Sequence, residues 1–160
     1  MKITLLATLA SLVALAATST AQSLGDTIRE AGHEAIIGTW VDEASGGQAV
    51  KVVYGWTVKD HAITSTVTTG ERTSIAMIGI DPDSGDILHT GYDNRGGMIS
   101  GRWDGDETSA ILEATHIDTE KNERSFVVTH TFIDENKIKV NMRPADSEDG
   151  TEIVLVRSSE

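Results

Sequence analysis

Cysteine is absent from this 160-residue chain, so no disulfide, thiolate ligand, cysteine nucleophile or lipid-bearing cysteine enters its chemistry. Small exported domains usually carry several cysteines, and without them stability has to come from a packed core. Phenylalanine and tyrosine occur twice each and tryptophan three times, few enough that each ring can be placed by argument. Positive charge is also scarce, with 13 Lys+Arg against 25 Asp+Glu and a net charge of −12. A field of that sign repels phosphate backbones and anionic headgroups, which argues against nucleic acid as a partner and for a soluble monomer. The chain has no Gly-x-Ser-x-Gly elbow and no phosphate-cradling glycine motif, and its carboxylates show no pairing across a cleft. No catalytic residue and no metal site is assigned from the sequence.

The one long apolar run, Ile3 to Ala17 behind the lone charge of Lys2, has the length of a signal-peptide core and is too short to span a bilayer. Ser19-Thr20-Ala21 supplies small residues for cleavage, so residues 1–21 are expected to be a signal peptide and Gln22 the mature N-terminus. A secreted or periplasmic protein follows, with no membrane insertion after cleavage. Losing Lys2 takes the charge to 12 − 25 = −13.

Residues 22–37 read as a short amphipathic helix. Ser23-Leu24-Gly25-Asp26 fits a capping box, and Leu24, Ile28, Ala31 and Ala35 recur at helical spacing opposite Arg29, Glu30, His33 and Glu34. A stripe so narrow and rich in small residues suits a lid laid across the end of a barrel.

From Gly38 onward the helical period is gone and turn signals recur every eight to fifteen residues. Strands are predicted near 39–43, 49–58, 61–69, 72–80, 86–92, 98–103, 108–117, 124–133, 137–142 and 151–157. No segment is left for helical crossovers, so residues 38–160 are predicted to form one all-β, antiparallel barrel of eight to ten strands. Asp81-Pro82-Asp83-Ser84-Gly85-Asp86 has the carboxylates of a calcium loop but no glutamate at the twelfth position, and reads as a hairpin turn.

Pairing the strands on either side of Asp118 to Asn122 about a centre near 120 sets Ala110, Leu112, Ala114 and His116 on one face with Arg124, Phe126, Val128, His130 and Phe132. That face reads as the interior. The opposite face, with Glu113, Thr115, Ser125, Thr129 and Thr131, is polar and wet. His130 then sits among apolar groups near Ala110, and His116 sits near the mouth beside Arg124. Tyr54 and Trp56 share a row with Val50, Val52 and Val58. In a barrel of this size, core and pocket lining are the same residues.

The Gly38-Thr39-Trp40 opening, with Arg157 in the last strand, resembles the start and finish of lipocalins and their calycin relatives. Ile78-Gly79-Ile80-Asp81, Ser84-Gly85, Tyr92-Asp93, Gly96-Gly97 and Gly101-x-Trp103 resemble the successive hairpins of small bacterial lipocalin-like proteins. The likeness runs roughly from Ile37 to Arg157. It implies that Trp40 packs across the closed end against Arg157, and that Gly38, Trp40, Trp103 and Arg157 are structural. Nitrobindin-like barrels share the small-barrel look and bind haem through a late histidine, but Lys137 to Glu160 contains none, and no cofactor is expected.

The function expected is non-enzymatic binding of a small apolar or amphipathic molecule inside the barrel. Tyr54, Trp56, Phe126, Val128 and Phe132 would line it, with His116 and His130 as polar contacts. The alternatives are a barrel enzyme of isomerase or cyclase type in which a histidine moves a proton, and a structural or stress-related envelope protein with a filled interior.

Overall fold

At the N-terminal end of the described chain, the Asp26 N–H donates to Ser23 Oγ at 3.1 Å, and the Ser23 hydroxyl donates to the Asp26 carboxylate at 2.7 Å. This capping box starts α1 (Leu24–Glu30), which is shorter than the stretch expected to be helical and gives way to a single 3₁₀ turn at Glu34–Ile36. The structure is a computed structural model in which residues 22–158 are described. The expected signal segment, residues 1–21, lies outside the described residues.

Ten strands follow: β1 (Gly38–Asp42), β2 (Val50–Val58), β3 (Ala62–Thr69), β4 (Arg72–Ile80), β5 (Ile87–Asp93), β6 (Met98–Gly105), β7 (Ser109–Ile117), β8 (Glu123–Asp134), β9 (Lys137–Pro144) and β10 (Thr151–Arg157). Each begins and ends within two residues of its expected bounds. Every strand pairs antiparallel with its sequence neighbours, and β1 also pairs with β10 through Trp40↔Arg157, Val41↔Val156 and Asp42↔Leu155, closing one barrel. The β7–β8 register is the one the alternation predicts, with Ala110 opposite His130, Ala114 opposite Phe126 and His116 opposite Arg124.

The two ends of the barrel differ. At one, the lead-in reaches two hairpin loops and the last strand a third. Gly25 donates its N–H to the Asp60 carbonyl at 2.9 Å, His33 Nε2 donates to the Asp106 carbonyl at 2.7 Å, and Arg157 donates to the Glu135 carbonyl. Leu24 and Trp40, both buried to within 1% of complete, make this the closed end.

Trp40 donates its indole N–H to the Ile36 carbonyl at 2.8 Å, and the Arg157 guanidinium lies 4.4 Å from the centre of its ring. The same guanidinium donates to the carbonyls of Ala35, Ile37 and Glu135. Gly38 is required there, because its φ of +141° is in the left-handed region and a Cβ would run into Arg157 Nη1. At the opposite end, the β1–β2, β3–β4, β5–β6, β7–β8 and β9–β10 loops ring an opening with no such cover among the described residues.

Candidate functional site

The interior holds a cavity of about 1600 Å³ that reaches the open end of the barrel. Its wall is the inward alternation of the strands: Val50 and Val52 from β2, Val67 from β3, Ile99 from β6, and Phe126 and Val128 from β8. On the neighbouring strands the inward positions are occupied by Ser65, Ala76 and Gly91, which face one another across β3–β4–β5, and by the Gly101–Ala114 pair across β6–β7. Small residues there let the strands approach closely, since a Cβ on Gly91 would run into the Ile75 carbonyl and Ala76, and one on Gly101 into the Glu113 carbonyl and Ala114.

At the base of the cavity stand Tyr54, His89, Trp103 and His130. Tyr54 and Trp103 also line a second pocket of about 650 Å³ beneath α1, so they form the partition between the two spaces. Tyr54 Oη and His130 Nε2 are 3.2 Å apart, and Trp103 donates its indole N–H to His89 Nδ1 at 3.3 Å. The Trp103 ring is close to both imidazoles, 5.3 Å from that of His130 and 6.1 Å from that of His89.

Burial governs the charge of this group. It pushes the His130 imidazole down to about 4; the Ala110 backbone works against it, and His33 and His89 add to it. His130 Nδ1 is buried close to the Ala110 backbone but outside hydrogen-bond geometry. Burial alone pushes His89 down to about 4 and holds the Tyr54 hydroxyl well above its ordinary range, with Ser65 acting weakly the other way. At neutral pH all three are uncharged, and the base of the cavity is polar without being ionic.

The ions are at the open end. Asp93, whose side chain is 1% exposed, accepts from Arg72 Nη2, from His116 Nε2 at 2.9 Å, and from the backbone N–H groups of Gly97 and Arg95. Burial pushes the Asp93 carboxyl up, but Arg72, the two N–H groups and His116 outweigh it and hold the group well below the usual carboxylate range. Gly97 has no substitute in this arrangement, because a Cβ would run into His116 Nε2 and Asp93 Oδ2. Four of the seven arginines in the chain, Arg72, Arg95, Arg124 and Arg143, line the cavity, and none of them is at its base.

Of the residues expected to line the interior, Tyr54, His116, Phe126, Val128 and His130 do so. Trp56 and Phe132 do not. Trp56 faces the closed end, packed against the core with the Lys59 ammonium 5.1 Å from its ring. A β-bulge between Phe132 and Asp134 marks the end of the regular β8–β9 register, and Phe132 stacks on His33 with ring centres 4.3 Å apart. Trp103, assigned only a structural role from the sequence, is part of the cavity. Nothing local marks His89 and Asp93, because a histidine in Ile87-Leu88-His89-Thr90 and an aspartate at a hairpin carry no motif; an inward register through Gly91 is the signal that points to them.

Fold and site together define a closed ten-stranded antiparallel barrel with an interior chamber, neutral at its base and charged at its opening. Among the described residues, no group of three or more His, Asp or Glu is placed to hold a metal ion. No protein-family model matches the chain, and neither does any curated protein sequence.

Proposed function

We propose that this is a lipocalin-like binding protein that takes a small apolar or amphipathic molecule into the barrel. The observation that carries the reading is the cavity of about 1600 Å³, walled by valine, isoleucine and phenylalanine, with a few uncharged polar groups at its base. Ligand sites are concave and mostly apolar with a small number of placed polar groups, commonly ~300–1,000 Å³, so the chamber accommodates such a molecule with part of its opening to spare. An open interior supports this reading over a purely structural barrel with a filled core. We place the protein outside the cytoplasm, on the apolar run after Lys2 and the small residues before Gln22.

Titration with the fluorescent apolar probe N-phenyl-1-naphthylamine tests the reading. Saturable binding at one site per chain, weakened by Val128→Trp, is expected. Absence of saturable binding, or binding indifferent to that substitution, would overturn it.

The enzyme alternative rests on the Tyr54–His130 contact, since a neutral imidazole against a phenol can relay a proton. A proton-transfer enzyme loses roughly 10²–10⁴ in rate when its acid or base is removed, so His130→Ala separates catalysis from binding, which would weaken far less.

A further inference from the structure

Trp103 determines the chemistry that His89 offers. An indole N–H can only donate, so the Nδ1 of His89 that receives it is the lone-pair nitrogen, and in a neutral imidazole the hydrogen then sits on Nε2. His89 is 7% exposed and lines the large cavity, yet none of its hydrogen bonds among the described residues involves Nε2. A donor that opens on the cavity is satisfied by water until a ligand displaces that water, and a ligand with no acceptor then leaves a buried N–H without a partner, which is costly. Its register partner on β6 is Gly101 and the next inward position on β5 is Gly91, so no side chain from either of these positions covers the ring.

We propose that the ligand carries an uncharged hydrogen-bond acceptor, a ketone, aldehyde or ester carbonyl, which sits against His89 Nε2 at the base of the cavity while its apolar body lies along the wall toward the opening. This rests on the binding reading above and names the ligand's chemical class. The acceptor is neutral because the base of the chamber supplies no cation. His89 and His130 are uncharged near neutral pH, Tyr54 is a phenol, and the four cavity arginines are at the other end. A carboxylate or phosphate pushed to the base would lose its water and gain no counter-charge. A pure hydrocarbon would leave the Nε2 hydrogen unsatisfied.

Displacement of N-phenyl-1-naphthylamine by 2-tridecanone, tridecane and dodecanoate tests this on the mature chain. The ketone is expected to displace the probe at roughly tenfold lower concentration than either of the others, the increment of one hydrogen bond. His89→Phe should remove that advantage, so that ketone and alkane displace the probe at similar concentrations. The bound ketone's infrared carbonyl stretch should move to lower frequency in the native protein, a readout that does not require the variant to fold. Equal displacement by ketone and alkane, tightest binding of the carboxylate, an unshifted carbonyl stretch, or a ketone preference that survives His89→Phe would overturn the proposal while leaving the binding reading intact. Failure of the probe itself to bind would overturn both.

Discussion

Arg157 lies over the ring of Trp40 while its guanidinium donates to the carbonyls of Ala35, Ile37 and Glu135, so one side chain from the last strand ties the lead-in, the first strand and the β8–β9 loop together. A cation over a tryptophan contributes about 0.5–2 kcal/mol, less than the plug itself, since Trp→Ala at a buried site costs about 3–5 kcal/mol. Arg157 does more than cover the ring, however. Its removal takes a hydrogen bond from three carbonyls, worth about 1 kcal/mol each at the partly buried Ala35 and Ile37 and less at the exposed Glu135, where water replaces it. Trp40→Ala and Arg157→Ala are therefore expected to destabilise by similar amounts, and Trp40→Phe by much less. Chemical denaturation midpoints check this, and a Trp40→Ala protein as stable as the parent would mean the ring is no plug.

Acid should weaken the fold in two stages. The imidazoles of His89 and His130 titrate near 4 when folded and near 6.5 when unfolded, so between those values the unfolded chain binds more protons. Their contribution is complete above about pH 6.5 and is lost as pH falls toward 4, on the order of 3 kcal/mol for each. Asp93, held low, contributes above the ordinary carboxylate pKa and loses that contribution as the pH falls further. Stability measured by urea at pH 7.5, 5.5 and 4 should fall throughout, and the double variant His89→Phe/His130→Phe should flatten the slope above pH 4. An unchanged slope in that variant would place the acid sensitivity elsewhere.

Asp93→Asn keeps the shape of the open-end cluster and removes its charge, leaving Arg72 and His116 without their anion. A loss of about 1–3 kcal/mol is expected, and Arg72→Ala should cost less because that side chain is 44% exposed and water replaces its hydrogen bonds. Gly97→Ala should resemble Asp93→Asn, since its new methyl group occupies the space of the Asp93–His116 contact. Thermal unfolding of the three variants gives the order.

Val128→Trp puts a large ring into the chamber. Probe affinity should fall at least about tenfold while the denaturation midpoint holds or rises, because filling an internal void adds contacts. A midpoint that collapses with no change in binding would mean that Val128 packs against protein rather than facing the ligand space.

The strands were legible because alternation and turn chemistry agree. The pairing of Ala110 with His130 follows from parity and from the Asp118–Asn122 turn alone. The closed end was legible as well, through Gly38, Trp40 and Arg157. The chamber was only half legible. Parity tells which side chains point inward but not how far along the barrel the space extends, so Trp56 and Phe132 were placed in it when both belong to the closed end. His89 and Asp93 were missed for a different reason. What distinguishes them is a partner on another strand, Trp103 for one and Arg72 with His116 for the other, and no local pattern announces a contact 14 to 23 residues away.

The seam between β1 and β10 also sets the order of events in folding. Arg157 and Ile37 meet across 120 residues of chain, so the last pairing to become possible joins the two extremes of the meander. Until β10 arrives, β1 and β9 each present a bare strand edge able to pair with another molecule. Contacts of such long sequence separation also slow the search for the native state. The nascent barrel is thus most prone to aggregation in the interval before Thr151–Arg157 docks, and a chain shortened to end before Thr151 should accumulate as oligomers joined edge to edge rather than as a smaller monomer.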